Sequence, residues 1–312
     1  MGGGGRTAGT QIKRRVRIRN LVLRSFSSLS ILCLMYLALY CDTRHGDSGG
    51  WAWAVLAALL SIPALREFYR LARSCGARPF SAAGYVLGPL WILAIEWELS
   101  GGSAPIGVDT IFLIAAAIAA MLLQLTRRTN EDAPIHVAAS LFGMVYCVFL
   151  PGLTLRLHHL ELSPGGWPAH GMEFVVVCVF VSKVADVGAL LIGSRWGRHK
   201  MIPRLSPGKT WEGAAGGLAF SLLLLQFMIL TEPRMALAGL GTGSQLLLSF
   251  LLAAAGMAGD LIESAFKRGG GRKDAGRGIP GFGGMLDLID SIIAAAPVMY
   301  LFLLVCGARQ AP

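Results

Sequence analysis

Nine apolar runs divide the chain, at roughly 26–41, 51–65, 81–97, 107–125, 136–155, 172–193, 212–230, 245–263 and 288–306. Short polar segments, most of them basic, separate the runs. A helix needs about 20 apolar residues to cross a bilayer, and most of the runs approach that length. The run at 51–65 is short and spans only if its helix continues into the polar segment after it. The pattern predicts an all-α, polytopic integral membrane protein of about nine transmembrane helices. No solenoid-type repeat and no separate soluble domain interrupts it.

Composition agrees. Of 312 residues, 54% are hydrophobic and 15% charged, against about 25% charged in a soluble domain. Lys and Arg orient the spans. With the N-terminus in the cytoplasm, 23 of the 28 Lys and Arg fall on inner segments, while only Arg44, Arg156, Arg234 and Arg309 fall outside. Lys183 lies within a span. The net charge of +10 is therefore orienting charge facing anionic headgroups. It is dispersed over loops rather than gathered in one domain, which speaks against a nucleic-acid partner. A cleaved leader is disfavoured because Tyr40 is bulky where processing needs a small residue. Residues 1–12, rich in glycine, are expected to be disordered. The expected organisation is a basic, partly disordered cytoplasmic segment (1–25), an N-terminal transmembrane region (26–165) and a C-terminal transmembrane catalytic region (166–312). The six cysteines are scattered and read as small core residues.

Against this greasy background, residues 260–291 are dense in charge and glycine, and charge beside lipid is costly. Asp260, Glu263, Ser264 and Lys267 stand at i, i+3, i+4 and i+7, one stripe of a helix. Asp287, Asp290 and Ser291 form a second stripe. Two such helix ends could gather Asp260, Asp287 and Asp290, and gathered carboxylates repel one another unless a cation lies among them. Oxygen-only ligands favour Mg²⁺. The alternative is that the acids simply pair with Lys267, Arg268, Arg272 and Lys273. The intervening glycines, among them Gly283 and Gly284, can bring backbone N–H groups close to an anion. With five cations from Lys267 to Arg277, a phosphate chain is the natural ligand; a flexible basic loop is the plainer reading.

A second inner segment, 194–211, carries Gly208-Lys209-Thr210. It is no P-loop, because Pro203 occupies the place of the first glycine and no strand precedes it. Ser206 or Thr210 is expected to cap the next span, with Glu212 in its first turn, and Lys209 beside a helix N-terminus can bind phosphate. Asp186 and Lys183, one turn apart in the sixth span, read as a pair lining the same cavity or as a buried ion pair. His158, His159 and His170 with Glu161 read as solvated loop residues. Trp51, Trp53, Trp91, Trp97 and Trp167 suit an interfacial aromatic belt. Glu67, Tyr69 and Arg70 read as anchors of an inner loop.

Ser264, Lys267, Arg268, Lys273, Asp274, Ile279, Pro280, Gly281, Gly283, Gly284, Asp287, Asp290 and Ser291 fall, without gaps, on a C-terminal signature. In that register the chain resembles the phosphatidate cytidylyltransferases, or CDP-diacylglycerol synthases. Gly259-Asp260-Leu261 with Glu263, the segment Ser206 to Gly213, and Asp186 also resemble that family's motifs. Phe282, Leu288 and Leu190 depart from it, standing where histidine, arginine and an aromatic residue are usual.

The resemblance implies transfer of CMP from CTP to phosphatidic acid, with release of pyrophosphate, at the cytoplasmic side of the inner membrane. It implies catalytic roles for Lys267, Arg268, Lys273 and Asp274. Substrate contacts are implied for Asp186, Ser206, Lys209, Thr210, Glu212, Glu263, Ser264, Gly283 and Gly284. Asp260, Asp287 and Asp290 would hold Mg²⁺, with a second cation as an option. Membrane lipids and a second copy of the chain are the implied partners. The alternatives are a CTP-dependent enzyme for another lipid phosphate or lipid alcohol, of CDP-archaeol synthase or polyprenol kinase type, or a transporter. Transport would call for repeat symmetry and broken spans in both halves, whereas the charged motifs here occupy one half.

Overall fold

The computed structural model describes residues 34–35, 37–38, 40–42, 50–128, 130–162, 171–271 and 284–310. The basic N-terminal segment, most of the run at 26–41, His170 and Trp167 lie outside the described residues. So do Arg272, Lys273, Asp274, Arg277, Ile279, Pro280, Gly281, Phe282 and Gly283 of the glycine-rich loop.

The fold is a bundle of long helices: α1 (Trp51–Ser74), α2 (Ser81–Leu99), α3 (Val108–Leu125), α4 (Ala133–His158), α5 (Met172–Trp196), α6 (Trp211–Thr231), α7 (Thr242–Gly269) and α8 (Met285–Val305). Among the described residues, seven of them are long and apolar enough to cross a membrane. The exception is α2, whose last turns carry Glu96 and Glu98. The short run at 51–65 does continue helically, to Ser74. The helix α4 contains one π turn, Val145–Phe149, directly ahead of Pro151. Proline has no N–H to donate to the preceding turn, and the wider turn absorbs that defect while keeping Tyr146, Cys147 and Val148 buried.

The tightest pairings are α5 with α6 and α7 with α8. Both rest on missing side chains. A Cβ on Gly217 would collide with the carbonyl oxygen of Ala185, and one on Gly259 with that of Asp290. Large residues close the other side of the bundle, where Phe266 of α7 meets Phe68, Phe142 and Tyr146 edge-on.

Several polar residues are not where sequence reading placed them. Trp53 and Trp91 are core residues rather than belt residues: their indole N–H groups donate to Thr154 Oγ1 (3.1 Å) and Asp109 Oδ1 (2.8 Å). Buried indoles seek such partners. His159 is not a solvated loop residue. Its Nε2 lies 3.0 Å from Oε1 of fully buried Glu96, which also accepts from Gly50 N (2.6 Å) and Ser100 Oγ (3.0 Å). Arg156 bridges Glu98 (2.9 Å) and Asp109 (2.6 Å). This network ties α2, α3 and α4 together at the end of the bundle away from Asp260.

Substituting Gly259 by leucine should force α7 and α8 apart at Asp290. Overpacking of this kind costs about 1–3 kcal/mol. Thermal unfolding of the purified protein in detergent should show a lowered midpoint for Gly259→Leu and little change for Gly243→Ala, where the space is open.

Candidate active site

Asp186 near the C-terminal end of α5, Lys209 just before α6, Asp260 in the last third of α7 and Asp290 in the second turn of α8 all come to one end of the bundle. Sequence spacing made Asp260, Glu263 and Lys267 one stripe of α7, and the structure places that stripe against the start of α8.

Three lysines divide the acids among them. Lys209 Nζ lies 2.8 Å from Asp260 Oδ2, and it also donates to the Met257 carbonyl (3.2 Å). Lys183 Nζ lies 2.9 Å from Asp290 Oδ1. Lys267 Nζ lies 2.9 Å from Glu263 Oε1 and also pairs with Asp287. Among the described residues, five carboxylates, counting Asp186, thus face three ammoniums. Carboxylate oxygens of Asp260, Glu263 and Asp290 lie within 4.8 Å of one another. That is an all-oxygen donor set, the kind that can hold a hard divalent cation. Asp287 faces Lys267 instead, and its other oxygen accepts from Gly284 N (2.8 Å) to cap α8. The two readings drawn from sequence, metal ligands and ion-paired acids, therefore both have a counterpart in the geometry.

The segment between α5 and α6 folds back as a narrow loop. Met201 N donates to the Lys209 carbonyl (3.2 Å), and Trp211 N to that of His199 (2.9 Å). Thr210 is the cap of α6, accepting from Gly213 N at 3.1 Å. Glu212 turns back onto the loop and accepts from Arg198 N (3.0 Å) and His199 N (3.2 Å). Arg268 Nε reaches the Leu205 carbonyl at 3.4 Å. A cavity of about 260 Å³ opens between this loop and the helices. Asp186, Ser206, Lys209, Thr210 and Asp260 belong to its polar lining, and Leu190 and Met257 to its apolar lining. Ser264 is half-buried on α7.

One residue here was read from the sequence as no more than a loop anchor. Glu67 of α1, 3% exposed, accepts from Leu286 N at 2.9 Å. An acid from the N-terminal half thus caps the helix that carries Asp287 and Asp290. Its place in the polar segment after the run at 51–65 gave no sign of this role.

The match to known sequences is extensive. Residues 22–306 fit the model of the cytidylyltransferase family. The chain belongs to that family. It is 32% identical over 276 residues to a phosphatidate cytidylyltransferase of Synechocystis, covering 81% of this chain and 89% of that one. It is 37% identical over 257 residues to one of Staphylococcus haemolyticus, covering 82% and 91%. A 30% identity over 265 residues links it to the uncharacterized YnbB of Escherichia coli, covering 82% and 80%.

The buried pair gives a direct test. Removing one partner of such a pair costs about 3–5 kcal/mol, because it strands the other charge. Lys267→Met should therefore lower the unfolding midpoint in detergent more than Lys267→Met combined with Glu263→Gln. Equal midpoints would mean that the pair of Lys267 with Glu263 does not contribute to stability.

Proposed function

We propose that the protein transfers CMP from CTP to phosphatidic acid, giving CDP-diacylglycerol and pyrophosphate, at the cytoplasmic face of the inner membrane. The observation that carries this reading is the meeting of Asp186, Lys209, Asp260 and Asp290 at one end of the bundle, beside a cavity lined by both polar and apolar side chains. Each belongs to a motif shared with the cytidylyltransferases, and the curated relatives act on phosphatidate by name. The 23-to-4 division of Lys and Arg supports an inward N-terminus, nine spans and a cytosolic site reached by CTP. Residues 26–165 would then form the supporting half and 166–312 the catalytic half.

The nucleophile is the lipid's own phosphate oxygen. A phosphate monoester with a second pKa of about 6 is largely dianionic at neutral pH, so no protein base need remove a proton. The oxygen forms a bond to the α-phosphorus of CTP, the bond from that phosphorus to the β-phosphate oxygen breaks, and pyrophosphate leaves. The barrier is the approach of a dianion to a polyanion. Lys209, Lys267, Arg268 and Lys273 would offset that repulsion and hold the leaving group, acting mainly through positioning and electrostatics. Asp260, Glu263 and Asp290 fit a divalent ion, with Asp287 one ion pair away as a further ligand. Mg²⁺ there would supply the charge that bridges substrate phosphates. Asp274, Gly283 and Gly284 would line the phosphate path, with Ser206, Thr210, Glu212 and Ser264 shaping its other side. The acyl chains can stay in the bilayer while the headgroup passes the apolar lining at Leu190.

Purified protein, radiolabelled CTP, Mg²⁺ and a panel of lipid phosphates and lipid alcohols should yield labelled CMP on phosphatidic acid. Asp290→Asn should reduce that yield at least about 100-fold, the scale of a lost electrostatic contact in a water-poor site, while keeping the fold. No lipid-linked CMP from phosphatidic acid, or labelling of another lipid in its place, would overturn the substrate assignment.

A further inference from the structure

We propose that Lys183 is a positioning residue that supplies the site's second cation from within the chain, an inference that rests on the reading of the acid cluster as a divalent-metal site. Lys183 stands on α5, and its ammonium crosses to α8. It lies 2.9 Å from Asp290 Oδ1 and 3.1 Å from Ser291 Oγ, with Asp186 Oδ2 4.0 Å away on its own helix. Ser291 Oγ in turn lies 2.9 Å from Asp186 Oδ2 and 3.0 Å from Asp290 Oδ1. A hydroxyl has one proton and can satisfy only one of those carboxylates at a time. The two acids face each other across the helix packing, and the positive charge between them removes the repulsion that the shared hydroxyl leaves.

The contacts are also selective in which oxygen they use. Among the described residues, Lys183 Nζ, Ser291 N and Ser291 Oγ all address Oδ1 of Asp290. That arrangement fixes the carboxylate's rotation and leaves Oδ2 for a divalent ion shared with Asp260 and Glu263. Gly256 packs closely here, because a Cβ there would press on Ser182. A tethered ammonium cannot diffuse away, so the site needs only one exchangeable cation, the divalent one. Lys183 is none of the signature residues shared with the family, and its role follows from these contacts alone.

The test uses the full-length protein in detergent and two readouts, Mn²⁺ binding by electron paramagnetic resonance and CMP transfer to phosphatidic acid. The parent should be indifferent to added monovalent cations. Lys183→Ala should lose about 10- to 100-fold in Mn²⁺ affinity and in turnover, the usual effect of removing a group that orients a metal ligand. Ammonium should restore both, since it fits the vacated volume; tetramethylammonium at equal ionic strength, too large for it, should not. Lys183→Met, which keeps the side-chain volume, should show the same loss without recovery in ammonium. Mn²⁺ affinity in both variants equal to that of the parent would overturn the proposal, as would a loss in Lys183→Ala that ammonium leaves untouched. The binding readout decides this even if the parent forms no CDP-lipid, a result that would count against the substrate assignment alone.

Discussion

The arrangement depends on how charge is held at the end of a membrane bundle. An isolated carboxylate or ammonium beside hydrocarbon is costly, and even a good ion pair only partly repays its desolvation. The protein answers with alternation. Asp260, Asp290 and Glu263 each take one lysine, and the lysines come from different parts of the chain: Lys209 before α6, Lys183 within α5 and Lys267 on α7. Charge pairs thus link α5 to α8 through Lys183 and Asp290, and α7 to α8 through Lys267 and Asp287. The small residues between those helices, Gly256 and Gly259, then let the backbones close to the distance the pairs require.

The same constraint explains why the charge is not fully cancelled. A cluster neutralised by lysines alone would be a structural knot with nothing left to offer a ligand. Among the described residues, Asp186 and Asp287 add carboxylates beyond the three acids that each have a lysine, and such a cluster could hold a divalent ion. Ion pairing and metal binding are usually set against each other as readings of an acid-rich motif. Here the two readings share one cluster: each of its three acids has a lysine partner, and their carboxylate oxygens lie close enough together to hold a metal ion.

What sequence could and could not reveal follows from the kind of information in a spacing. The apolar runs marked the helices, and the i, i+3, i+7 spacing of Asp260, Glu263 and Lys267 marked the face of α7 that turns to the site. The capping role of Thr210 was legible because an N-cap acts within three residues of itself. Partners on different helices were not legible. Nothing in the order of residues says that Glu67 meets Leu286, that Lys183 meets Asp290, or that Glu96 lies under His159. Trp53 and Trp91 misled for a related reason. A tryptophan near a span end suits the interface on average, but a buried hydrogen-bond partner such as Thr154 or Asp109 moves it inward, and that partner is distant in sequence.

The two ends of the bundle treat buried charge differently, which bears on which end can work. At the far end, Glu96 is fully enclosed, and its partners Gly50, Ser100 and His159 lie close around it; Arg156 is likewise shared between Glu98 and Asp109. That network closes on itself. At the near end, Asp186 and Asp260 keep about a third of their side-chain surface exposed, and Lys209 keeps about a fifth, all three lining a cavity that Leu190 and Met257 also line. A lining that sets charged side chains beside apolar ones suits a ligand that is itself divided, with phosphate at one end and hydrocarbon at the other. The position of that cavity, between the ends of helices long enough to cross a bilayer, is the place where such a molecule can present its headgroup without leaving the membrane.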